Sequence, residues 1–200
     1  MSHDIVNTLL KSNEAWAAGV TQKDPDFFKN SAENDQKPKV LWLGCSDSRV
    51  PESVVLAARP GDIFVHRNIG NQFRAGDDST QSVLDFAVGH VEVQHIFVVG
   101  HSQCGACKAS LKEVPEGSLT RFLKQLIDLA QEPHITGAQD SLQALVEYNV
   151  KQQVENVANS EAVRKAWGKK GREPLYVHGF VYRLESGRLE DLGLTVGPNL

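Results

Sequence analysis

Apolar residues fall in short runs separated by longer periodic stretches. Val40-Leu41-Trp42-Leu43 ends at a glycine and reads as a buried strand. Asp62–His66 and His95–Val99 repeat the pattern. Between them, Ser79 to Val91 sets Val83, Leu84, Ala87, Val88 and Val91 on one helix face. Strand, crossover helix, strand implies a parallel sheet whose strands are buried on both faces. Leu119–Leu129 and Ser141–Val157 are helical in period, the second with a stripe of Leu142, Leu145, Val146, Val150, Val154 and Val157. Leu175–Leu184 reads as a strand, Glu185-Ser186-Gly187 as a turn and Arg188–Leu192 as a return strand. At the start, residues 5–18 read as an amphipathic helix with Ile5, Leu9, Ala15 and Trp16 among its contacts. Asp24-Pro25 reads as an N-cap with Pro at the first position of a short helix. The expected fold class is α/β: a central, mostly parallel sheet flanked by helices, with a C-terminal antiparallel edge strand and an N-terminal helical arm. One domain is expected over residues 1–200, with the arm at 1–35 and the α/β core at 36–200.

A chain of 200 residues is long enough for one domain with a sizeable core. The formal net charge of −4 offers no basic footprint for nucleic acid. No apolar run approaches the length of a membrane span. The first residues lack an apolar core and an Arg-rich bias, so a cytoplasmic location is expected. Three cysteines, an odd number, argue against a disulfide framework and for metal ligands, catalytic thiols or core residues.

In a parallel α/β sheet, ligands sit beyond the carboxyl ends of the strands. Cys45 follows the first run, His66 to Asn68 end the second, and His101 and Cys104 follow the third. Three chemical segments therefore meet at one edge. Cys45, His101 and Cys104 make a Cys2His set, which suits a catalytic zinc with one open position. The spacing of His101 and Cys104 predicts one side of a helical turn. Asp47 and Arg49 are placed to pair beside the metal. Cys104-Gly-Ala-Cys107 is also a C-x-x-C, which leaves a redox dithiol open; Cys107 is otherwise expected to be a small buried hydrophobe.

Cys45-Ser-Asp-Ser-Arg49, His66-Arg-Asn-Ile-Gly-Asn71 and Gly100-His-Ser-Gln-Cys-Gly105 resemble the signature segments of the β-class carbonic anhydrases. Gln36-Lys-Pro-Lys, Asp85-Phe-Ala-Val and His178-Gly-Phe-Val-Tyr182 resemble that family in the same order. The resemblance implies one zinc per subunit, held by Cys45, His101 and Cys104, and reversible hydration of carbon dioxide to bicarbonate and a proton. It implies that Asp47 and Arg49 are a catalytic dyad assisting zinc-bound hydroxide. It further implies that Asp47, once free of Arg49, can become a fourth metal ligand. Gln36, Phe64, Phe86 and Gly105 match substrate-contacting positions, with the two phenylalanines lining an apolar pocket partly across a dimer interface. Trp42, Arg67 and Tyr182 match an inhibitory bicarbonate site of one subgroup; they also fit a core indole, a carboxylate-paired guanidinium and a strand tyrosine. The family builds homodimers, often paired into tetramers. A structural-zinc module and a carbon disulfide hydrolase are the other readings of the same ligand set.

Overall fold

The computed structural model describes residues 2–112 and 116–198. The chain divides after Gln36 into two compact units. The first carries α1 (Ser2–Lys23) and α2 (Phe27–Glu33). Helix α1 runs beyond the expected 5–18, with Asp4 in its first turn and Lys23 in its last, both favourable to the helix dipole. Ile5, Leu9 and Trp16 are exposed on this chain, although the Trp16 ring meets the edge of Phe28 at 5.8 Å. Helix α2 starts later than expected. The Phe27 amide donates to the Asp24 carbonyl at 3.1 Å, so Asp24 and Pro25 form a turn and Asp26 becomes the N-cap.

The second unit runs β1 (Val40–Cys45), α3 (Glu52–Val55), β2 (Ile63–Asn68), α4 (Asp78–Phe86), β3 (His95–His101) and α5 (Gly105–Ser110). It continues through α6 (Ser118–Phe122), α7 (Lys124–Ala130), α8 (Pro133–Thr136), α9 (Ser141–Ala158) and α10 (Glu161–Gly168) to β4 (Tyr176–Arg183) and β5 (Arg188–Val196). Each of the first three strands extends two residues past its apolar run or more, which carries Cys45 and His101 into the sheet itself. The expected helix over 79–91 is α4 followed by a π-helical turn, Ala87–Val91. Arg172 donates to the carbonyls of Val88 and Val93 at 2.6 and 3.1 Å, which satisfies backbone groups that this irregular end leaves over. The expected helix over 119–129 is broken at Leu123 into α6 and α7.

The strands stand in the order β2-β1-β3-β4-β5, the first four parallel and β5 antiparallel to β4. The chain leaves β1 for β2 on one side and returns to β3 on the other. The switch point, where such sheets open a crevice, therefore lies between the carboxyl ends of β1 and β3.

Helix α9 presses its buried face, including Leu145, Val146 and Val150, onto β3 and β4. Glycine makes this approach feasible. A Cβ on Gly100 would lie 2.7 Å from Val150 Cγ2, and one on Gly179 would lie 3.1 Å from Val150 Cγ1. Gly100→Ala is therefore expected to cost about 1–3 kcal/mol by overpacking. The Gly100→Ala/Val150→Ala double variant should lose less than the sum of the two single changes in denaturant unfolding. Strict additivity would show that the helix and strand adjust without this contact.

Candidate metal centre

Cys45 closes β1 and His101 closes β3, on adjacent strands at the switch point. Cys104 arrives differently from the helical turn that its spacing suggested. After β3 the chain reverses through Gln103, whose φ of 57° is left-handed, and Cys104 becomes the N-cap of α5. A strand end and a tight turn thus do what one turn of helix was expected to do. The ligand atoms of Cys45, His101 and Cys104 lie within 4.8 Å of one another, and all three residues are buried.

The chemistry of the cluster fits a metal ion. His101 Nδ1 lies 2.9 Å from the Ser102 carbonyl oxygen. A carbonyl only accepts, so Nδ1 carries the proton and Nε2 presents its lone pair. Nε2 is buried and has no hydrogen-bond partner among the described residues. A buried acceptor left over in this way suits a metal bond. Hydrogen bonding with Cys104, then burial, push the Cys45 thiol up to about 12. The neighbouring Cys107 thiol, then burial, push Cys104 up to about 12 as well, against a lowering contact from Cys45. Both thiols must lose protons to bind a metal, so capture competes with protons and weakens as pH falls. Cys107 itself is buried in the core, outside the three-residue cluster.

Arg67, on β2, fixes the loop that follows Cys45. Its guanidinium donates to the Cys45 carbonyl at 2.8 Å and the Asp47 carbonyl at 2.6 Å, and it meets Glu52 at 3.5 Å. Asp47 is gripped by Arg49: Nε and a terminal nitrogen donate to its two oxygens at 2.9 and 2.7 Å, and the Arg49 amide adds a third bond at 3.0 Å. The Arg49 guanidinium holds the Asp47 carboxyl well below the usual carboxylate range. Asp47 Oδ2 is 3.7 Å from His101 Nε2, so this charge stands at the mouth of the cluster.

A cavity of about 270 Å³ opens beside the cluster. Cys45, Asp47 and Gly105 form one side, and Ile69, Ala109, Leu119 and Leu123 form an apolar wall. Phe64 and Phe86 are elsewhere: their rings stack at 5.9 Å, Phe86 half-exposed, and neither lines this cavity. Gln36 is exposed at the end of the first unit. Trp42, on β1, is fully buried with Nε1 unpartnered among the described residues, and Gly44 leaves room for its indole. Tyr182 is half-buried on β4. Ser102 escaped the sequence reading. Its hydroxyl donates to Glu185 at 2.7 Å and accepts from the Leu184 amide at 2.9 Å, tying the His101 carbonyl partner to the β4–β5 turn. It lies within a motif already singled out, but its partners are more than 80 residues away.

No helix among the described residues is long and apolar enough to cross a membrane. A family model described as carbonic anhydrase matches residues 40–189. The carbonic anhydrase of Emericella nidulans is 37% identical over 191 residues, covering 93% of this chain and 82% of that protein. The carbonic anhydrase of Saccharomyces cerevisiae is 28% identical over 203 residues, covering 95% and 90%. Among solved structures, a β-carbonic anhydrase of Sordaria macrospora, described as tetrameric, superposes with a TM-score of 0.90 at 34% identity over 96% of this chain and 99% of that one. A β-carbonic anhydrase of Aspergillus fumigatus gives 0.86 at 36% identity over 94% and 91%. A Cys2His cluster at the switch point of a parallel sheet, and likeness running nearly end to end, make this chain an enzyme of the β-class carbonic anhydrase family.

Proposed function

We propose that the chain holds one zinc ion through Cys45, His101 and Cys104 and hydrates carbon dioxide reversibly to bicarbonate and a proton. The observation that carries this is the buried Nε2 of His101, which has no hydrogen-bond partner among the described residues and is clustered with two thiols. Zinc there supplies a Lewis acid that makes water a nucleophile at neutral pH. The chain's own residues do the rest. Arg49 holds Asp47 charged and fixed, so its carboxylate can accept a hydrogen bond from a proton-bearing oxygen and orient the attacking lone pair. The apolar wall of Ile69, Ala109, Leu119 and Leu123 suits a small uncharged substrate. Gly105, on that cavity, is a substrate contact through its backbone; Gln36, Phe64 and Phe86 are assigned contacts on the family resemblance. Asp47, if released by Arg49, is near enough to serve as a fourth ligand and shut the site.

A homodimer or tetramer is part of the same reading. Among the described residues β2 is an edge strand of the sheet, with Val65, Ile69 and Phe86 exposed along or near it, and the Sordaria relatives are described as tetrameric. A cytoplasmic location rests on the reducing compartment that three free, buried cysteines suit.

Stopped-flow hydration of carbon dioxide, with zinc measured on the same sample, tests the assignment. Asp47→Asn should lose about 10²-fold or more in kcat/KM while keeping its zinc. Cys107→Ser should keep both activity and metal. Full activity in Asp47→Asn would remove its role, and loss of activity in Cys107→Ser would favour a dithiol at Cys104 and Cys107.

One observation favours a second site on this chain. Trp42 Nε1 is a buried donor without a partner among the described residues, beside β2 where Arg67 grips the metal loop. Bicarbonate bound by Trp42, Arg67 and Tyr182 would satisfy that donor and draw Arg67 from the Cys45 and Asp47 carbonyls. Rates measured at rising bicarbonate and low pH should then show cooperative, non-competitive inhibition. Simple competitive inhibition would leave Trp42 as core and Arg67 as a structural clamp.

A further inference from the structure

The buried face of α9 carries two carboxamides within its apolar stripe. Asn149 and Gln153 are one turn apart and at most 1% exposed. Burying them is costly unless every polar atom is used. Their partners lie about 80 residues away, in the loop that follows β2. Asn149 Nδ2 donates to the Gly70 carbonyl at 3.0 Å, and Asn149 Oδ1 accepts from Gln72 Nε2 at 2.8 Å and from Gln153 Nε2 at 3.1 Å. Gln153 Oε1 accepts from the Phe73 amide at 2.9 Å. Asn156, half-buried on the same helix, donates to the Phe73 carbonyl at 3.3 Å and to Gln153 Oε1 at 3.1 Å. Within the loop, Asn68 exchanges hydrogen bonds with the backbone of Gln72 at 2.6 and 2.7 Å.

The loop needs this hold. Gly70 and Asn71 both have positive φ, 75° and 48°, a conformation that costs a non-glycine residue. Residues 70–73 are buried, so their backbone groups cannot fall back on water. The loop also carries Ile69, which forms part of the cavity wall beside Cys45 and Asp47. The loop after Cys45 has a separate clamp in Arg67, so the two sides of the cavity are fixed by different devices.

We infer that Asn149 and Gln153 are positioning residues for the substrate cavity, setting Ile69 against the metal cluster through the backbone of residues 70–73. The inference rests on the cavity being the carbon dioxide site. Displacing Ile69 weakens substrate binding, whereas the reacting groups, held by Arg67 and Arg49, stay in place. The effect should therefore fall on KM more than on kcat.

The test compares Gln153→Met with Val157→Ala, a buried α9 truncation outside this network, and with Asn156→Ala as a milder change should Gln153→Met not fold. Two quantities are read: exchange of the Gln72 and Phe73 amides with deuterium, and kcat and KM for carbon dioxide at equal zinc content. Gln153→Met should speed Phe73 exchange by about tenfold beyond the Val157→Ala control. It should raise KM about threefold or more, with kcat changed less than about twofold. Asn156→Ala should shift both in the same direction by less. Exchange and KM that merely follow the loss of global stability, as in Val157→Ala, would overturn the inference. If the wild-type chain does not hydrate carbon dioxide, the proposed function fails, and amide exchange still decides whether α9 holds the loop.

Discussion

A histidine nitrogen buried without a hydrogen-bond partner among the described residues is the constraint on which the carboxyl edge of the sheet depends. The Ser102 carbonyl accepts a hydrogen bond from Nδ1, so His101 Nε2 keeps a free lone pair beside the thiols of Cys45 and Cys104. Two thiols pushed up to about 12 flank it. Such a group of polar atoms is unfavourable in a core as it stands and becomes favourable once a soft-tolerant cation replaces the thiol protons. Metal binding to this cluster would therefore be coupled to folding, and the surrounding contacts keep the cluster assembled.

Those devices come from different parts of the chain. The strand order puts Cys45 and His101 side by side at the switch point, and the left-handed turn at Gln103 brings in Cys104. Arg67 uses a neighbouring strand to pin the carbonyls of Cys45 and Asp47. Ser102 and Glu185 tie the far side of His101 to the β4–β5 turn. Arg49 keeps the Asp47 carboxylate charged but turned aside, close to the cluster without belonging to it. None of these contacts is large in free energy alone; their value lies in fixing the direction of a few polar atoms.

Most of the frame was legible because it follows from periodicity. Short apolar runs marked β1, β2 and β3, and the stripe from Leu142 to Val157 marked α9 almost to the residue. The donor set was legible because Cys45, His101 and Cys104 each follow a strand-like run. What failed was local geometry. The i, i+3 spacing of His101 and Cys104 suggested a helix, but a left-handed residue does not show in apolar periodicity. Asp24-Pro25 looked like a helix start, but the Asp24 carbonyl was committed to a turn. Asn149 and Gln153 read as interruptions of an apolar stripe, because their partners at Gly70 and Phe73 are set by tertiary contact alone.

The central claim, that two cysteines and one histidine hold the metal while Cys107 stands aside, is open to direct measurement by X-ray absorption at the zinc edge. The account predicts two sulfur neighbours at about 2.3 Å and two nitrogen or oxygen neighbours at about 2.0–2.1 Å. Three or more sulfur neighbours would place Cys107 in the site and contradict it.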